Sequence, residues 1–153
     1  MKNLTIVSIV LMLVSIRLFA QSDIDIAAEK VAVQKVIQEA YADGMINTGN
    51  IEAAREGFHP GFAILGLTNN SLWKYPIYRW IEAVEQRKKE GKIPPEKKVT
   101  FQYPLIDIME NAAIAKVEFF EGERLKYTDY LSLYKFEEGW RIVNKIFYEH
   151  KEE

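Results

Sequence analysis

Asp129 and Asn144 are two polar residues of the run 128–148, at positions that alternate with the same spacing as Leu131, Leu133, Trp140, Ile142 and Ile146. If Glu138-Gly139 form a two-residue turn, the run is a β-hairpin. Trp140, Ile142, Asn144, Ile146 and Tyr148 then share one face with Leu133, Leu131 and Asp129, because side chains alternate along a strand. Turned into a pocket, Asp129 is a candidate acid or ligand acceptor and Asn144 a candidate anchor. The structural alternative has Asp129, opposite Tyr148, accepting a hydrogen bond while Asn144 satisfies a local group.

His59 is the second candidate proton carrier, placed where the chain enters an apolar strand; the alternative is a turn histidine before Pro60. Tyr41, Trp73, Trp80, Tyr103 and Phe119 are the aromatic side chains suited to lining a pocket for a flat, partly polar ligand, and equally suited to a plain core. His150 lies in the charged tail. With two separated histidines and no cysteine, a clustered nitrogen or sulfur ligand set is missing, so neither metal nor cofactor is implied. Phosphate-binding glycine loops and a Gly-x-Ser-x-Gly elbow are also missing, which excludes the usual signatures of phosphoryl transfer and serine-esterase chemistry.

The elements that must position these residues follow from periodicity. Residues 23–47 carry Val33, Val36, Ile37, Ala40 and Tyr41 at helical spacing. Asn50 is an N-cap for a short helix over 51–56, which Gly57 is expected to end in the left-handed conformation. Phe58-His59-Pro60-Gly61 reads as a turn. Residues 62–67 form a short apolar strand that the turn residues 68–71 join to a second strand over 72–75. Pro76 opens a third helix, with Ile77, Trp80, Ile81 and Val84 on one face. From Val99 onward the pattern is β, with turn signals at Glu110-Asn111, Gly122-Glu123 and Glu138-Gly139. Helices followed by an antiparallel meander predict an α+β domain with the helices on one face of a curved sheet.

At 153 residues and 48% hydrophobic, the chain suits one domain with a substantial core. Lys2, the apolar run 4–16, Arg17 and Leu18-Phe19-Ala20 before Gln21 have the anatomy of a secretory signal peptide. The expected organisation is a signal peptide at 1–20, cleaved after Ala20, and a single domain at 21–153, exported to the periplasm or the cell exterior. Loss of Lys2 and Arg17 would move the net charge from −2 to −4, so nucleic acid is excluded as an expected partner. Without cysteines, the domain is held by its core whatever the redox compartment.

The order of elements, the Phe58-His59-Pro60 step, and the closing segments Asp129-Tyr130-Leu131-Ser132-Leu133 and Gly139-Trp140-Arg141-Ile142-Val143-Asn144-Lys145-Ile146-Phe147 resemble the nuclear transport factor 2-like superfamily, and within it the putative lumazine-binding family. The resemblance covers roughly residues 26–148. It implies a cone-shaped fold: three helices on a curved, mainly antiparallel sheet around a pocket, with pairing through the outer sheet face.

Three readings of function follow. The first is an exported protein binding an unknown small molecule through Tyr41, Trp73, Trp80, Tyr103, Phe119, Asp129 and Asn144. The second is an acid–base enzyme of isomerase, cyclase or dehydratase type, resembling polyketide cyclase relatives on this fold and using Asp129 or His59. Tyr41 is a rough match to the first-helix tyrosine of ketosteroid isomerases, but residues 62–67 carry no carboxylate where those enzymes bear their base. The third is a homodimeric interaction module whose outer sheet face is formed by Tyr130, Ser132, Tyr134, Phe136, Val143, Lys145 and Phe147.

Overall fold

The computed structural model describes residues 25–151; the leader-like run at 1–20 lies outside the described residues. Helix α1 covers residues 25–47, α-helical over 25–36 and π-helical over Ile37–Asn47. It is followed by α2 (Ile51–Gly57), β1 (Phe58–Thr68), β2 (Ser71–Pro76), α3 (Ile77–Lys89), β3 (Val99–Met109), β4 (Ala112–Glu121), β5 (Arg124–Phe136) and β6 (Gly139–Glu149). The strands form one sheet in the order β2-β1-β6-β5-β4-β3, antiparallel throughout except for the parallel β1–β6 pair. The three helices pack on its concave face, giving the α+β cone expected from the sequence.

Small residues let α2 lie directly on α1. A Cβ added at Gly57 would fall 2.3 Å from that of Ala40, and one at Gly44 would fall 3.2 Å from the amide of Ala54. Gly57 is therefore needed for close approach. It does not end α2 in the left-handed conformation: the chain passes from the helix straight into extended Phe58, with Asn50 Oδ1 accepting from the Ala53 amide as the N-cap. Phe58-His59-Pro60-Gly61 is likewise the irregular start of β1 and not a free turn. At the other end of α1, the Asn47 side chain pairs with the backbone of Val99 like a neighbouring strand: Nδ2 donates to Val99 O at 2.9 Å and Oδ1 accepts from Val99 N at 3.0 Å.

Bulges curve the sheet, since an extra residue on one strand bends it and raises its local twist. The β3–β4 pairing skips between Gln102 and Leu105, where Pro104 has no amide to donate. The β4–β5 pairing skips Lys126, and the β5–β6 pairing skips Val143. The β1–β2 turn places Asn69 and Asn70 at φ +50° and +60°, the mirror-image geometry that a tight hairpin needs.

Candidate functional site

The bulge at Val143 decides what faces the interior of the cone. The β5–β6 turn is Glu137-Glu138, one residue earlier than expected, with Gly139 at φ +123° opposite Phe136. Trp140 and Ile142 point inward as predicted. Beyond them Leu133 pairs with Ile142 but Ser132 pairs with Asn144, and the extra residue inverts the alternation. Lys145 and Phe147 consequently lie on the concave face, while Ile146 and Tyr148 are half or more exposed on the convex one. This reverses the expected faces of all four residues, and Asp129 pairs with Phe147 instead of Tyr148.

The inward Lys145 completes a buried cluster with Asp129 of β5 and Tyr41 of α1. Lys145 Nζ lies 3.0 Å from Asp129 Oδ1 and donates to Tyr41 Oη at 2.5 Å, and Tyr41 Oη donates to Asp129 Oδ2 at 2.8 Å. The three groups close a ring of polar contacts inside an aromatic shell. Tyr41 meets Phe58, Trp80 and Phe101 edge to face, and Phe119 packs beside Phe101 and Tyr127. The contact of Nζ with Oδ1 is an ion pair without hydrogen-bond direction, which leaves Oδ1 a buried acceptor with no donor aimed at it.

Burial pushes the Lys145 ammonium below the usual lysine range, with the charge of Asp129 opposing it. Burial first, then the charge of Asp129, hold the Tyr41 hydroxyl well above the usual tyrosine value. Both directions follow from low polarizability around a charge: the neutral amine and the neutral phenol are favoured. Ion pairs removed from water contribute little net stability compared with apolar replacements, so a cluster of this kind in a cone is a candidate site.

One side of the cluster is flanked by partly buried rings. The rings of Phe147, Trp80 and Tyr127 lie 5.3, 5.8 and 6.0 Å from Nζ, and all three are only partly buried. Trp73 extends this rim: its ring lies on Gly66, 6.1 Å from Phe147, with Nε1 donating to Thr68 Oγ1. Burial, aided by a hydrogen bond to Glu149, pushes the Tyr127 hydroxyl up to about 12.

Of the residues singled out in the sequence, Tyr41, Trp80, Phe119 and Asp129 gather at this cluster, and Trp73 stands at its rim. Tyr103 is half-buried beside α1, where its hydroxyl donates to Gln38 Oε1. Asn144 does not join the cluster; the bulge places it at the β1–β6 seam, where Nδ2 donates to Ala63 O at 3.1 Å. His59 is also elsewhere: its Nδ1 accepts from the Gly61 amide, and its ring stacks on Phe136, which is about 23 Å of strand from Asp129. A groove of about 370 Å³ between α1, α2 and the β5–β6 turn includes Glu29, Gly57 and Trp140 in its walls but no member of the cluster.

Lys145 is the residue that sequence reasoning missed as an interior group. The available signal was Asn144, a residue type disfavoured in regular strands, marking where the alternation breaks.

The fold is that of the nuclear transport factor 2-like proteins. The chain belongs to the family described as "Putative lumazine-binding", whose model matches residues 28–148. Among solved structures, an NTF2-like protein of unknown function from Shewanella baltica superposes with a TM-score of 0.66 at 25% identity, covering 82% of this chain and 97% of that one. Another, from Methylobacillus flagellatus, gives 0.59 at 27% identity, covering 85% and 94%. A curated relative, aldolase FrzH from Cladobotryum sp., is 28% identical over 111 residues, covering 72% of this chain and 83% of that protein.

Proposed function

We propose that the protein binds a small carbonyl compound at the aromatic mouth of the cone and acts on it by acid–base chemistry through Lys145. The carrying observation is a buried ammonium that faces partly buried aromatic rings on one side and is backed by Asp129 and Tyr41 on the other. Flat apolar portions of a ligand suit Phe147, Tyr127, Trp80 and Trp73, and a carbonyl oxygen suits the Nζ donor. An ammonium held in place stabilises the negative charge that collects on that oxygen when the carbon α to the carbonyl loses a proton or its β carbon and keeps the bonding pair. Asp129 and Tyr41 are positioning residues, fixing Nζ and offering its proton a destination. The aldolase relative supports this class of chemistry. Small-molecule binding is kept from the sequence reading and joined to its acid–base alternative, with Lys145 taking the place of Asp129 or His59 as the acting group.

The test is a fluorogenic β-hydroxyketone that releases an aryl aldehyde when its α,β carbon–carbon bond breaks. Saturable release is expected from the unaltered chain, falling roughly 10²–10⁴-fold in Lys145→Met. Asp129→Asn should also shift the pH profile of the rate, as a merely structural aspartate would not. Release at the rate of free lysine would contradict the reading.

A second copy of the chain is proposed to cover the convex face. Across that face Ile146 lies beside Tyr130, Lys116 comes next and Leu105 beyond it; Ile146, Tyr130, Leu105 and Ile114 are each about half exposed. Such a mainly apolar row, with one tyrosine and one lysine in it, is suited to meeting itself about a two-fold axis. Light scattering should give a dimer that Tyr130→Lys with Ile146→Lys converts to monomer; a monomeric parent would contradict it. The leader-like run at 1–20 supports export of the domain.

A further inference from the structure

We infer that Lys145 forms a covalent imine with a small aldehyde or ketone whose flat apolar portion rests on the rim of Phe147, Tyr127 and Trp73. This rests on the proposed acid–base reading and narrows it to a covalent step.

Three features carry it. Nζ lies 5.3 and 6.0 Å from the rim rings of Phe147 and Tyr127, and the Lys145 side chain keeps 7% of its surface exposed where Asp129 keeps none. The proton that the ammonium must lose before it can attack has a destination 3.0 Å away, in Asp129 Oδ1, the buried acceptor without a directed donor. Burial also favours the neutral amine, the form that adds to a carbonyl. Lys35 and Lys92, whose side chains are 68% and 66% exposed, have no comparable surroundings.

The step balances. The ammonium passes one proton to Asp129, and the nitrogen lone pair forms a bond to the carbonyl carbon. The carbonyl oxygen takes up a proton from nitrogen and the one held by Asp129, and leaves as water. The product is an iminium carrying the same single positive charge as the ammonium. The carboxylate of Asp129 thus faces a cation before and after the step, and the buried charge balance is unchanged. No oxidant or reductant is consumed.

Propanal with sodium cyanoborohydride, which reduces an imine to a stable amine, tests this on the unaltered chain by intact mass and peptide mapping. Labelling of Lys145 is expected roughly tenfold or more faster than at Lys35 or Lys92, as for an amine held neutral beside a bound carbonyl. Lys145→Arg keeps the charge but cannot form the adduct, and should lose that fast phase and retain the slow surface labelling. Surface lysines labelled while Lys145 stays unmodified would overturn the imine. If the β-hydroxyketone is still turned over in that case, the acid–base reading stands; if turnover is absent as well, both fall.

Discussion

Lys145 Nζ and Asp129 Oδ1 are 3.0 Å apart, with 7% and 0% of their side chains exposed, at the centre of an otherwise aromatic and aliphatic core. Removing either partner leaves the other charge buried and uncompensated. Lys145→Met or Asp129→Leu alone should each destabilise the fold by about 3–5 kcal/mol, whereas the double variant should recover most of that loss. Urea unfolding of the three variants measures it. Losses that simply add in the double variant would mean that the two charges are not coupled.

The same pair gives stability a defined alkaline dependence. Burial lowers the Lys145 pKa from its usual 10.5, so the folded chain sheds that proton before the unfolded chain does, and stability rises as pH climbs through the folded value toward 10.5. Tyr41 is raised well above 10.0, so the folded chain keeps a proton that the unfolded chain releases, and stability falls above pH 10.0. Above about pH 10, Tyr41→Phe should lose less stability than the parent. Equal slopes would remove Tyr41 as the source.

Gly66 tests the rim. A Cβ there would sit 1.9 Å from the ring of Trp73, so Gly66→Ala must displace the indole from β1. The expected cost is about 1–3 kcal/mol, with a red shift in tryptophan emission as Trp73 moves into water. An unchanged emission spectrum would place the ring elsewhere in solution.

Asn47 tests the joint between α1 and the sheet. Asn47→Ala removes both bonds to the Val99 backbone and leaves a buried donor and acceptor, at about 1–3 kcal/mol for each. Amide exchange should accelerate at Val99 ahead of the centre of β4. Unaltered exchange there would show that the joint is held by other contacts.

Much of the fold was legible because it rests on periodic patterns. Val33, Ile37 and Tyr41 marked the buried stripe of α1, Asn50 its neighbour's cap, and Asn69-Asn70 the first hairpin turn. Asp129 was legible as an interior polar group because β5 alternates regularly from Leu133 to it. Lys145 was not, because one unpaired residue, Val143, inverts every side chain after it, and a bulge leaves no periodic trace. Gly57 was misread for a related reason: whether a glycine serves a positive φ or a close approach depends on a partner, here Ala40, that only the folded chain supplies.

Lys145 and His59, the two candidate acting residues, can be set against each other in one assay. Release of aldehyde from the fluorogenic β-hydroxyketone is compared for Lys145→Met and His59→Ala, with circular dichroism confirming that both are folded. His59→Ala is expected to match the parent while Lys145→Met loses roughly 10²-fold or more. Parent-like turnover by Lys145→Met would contradict it.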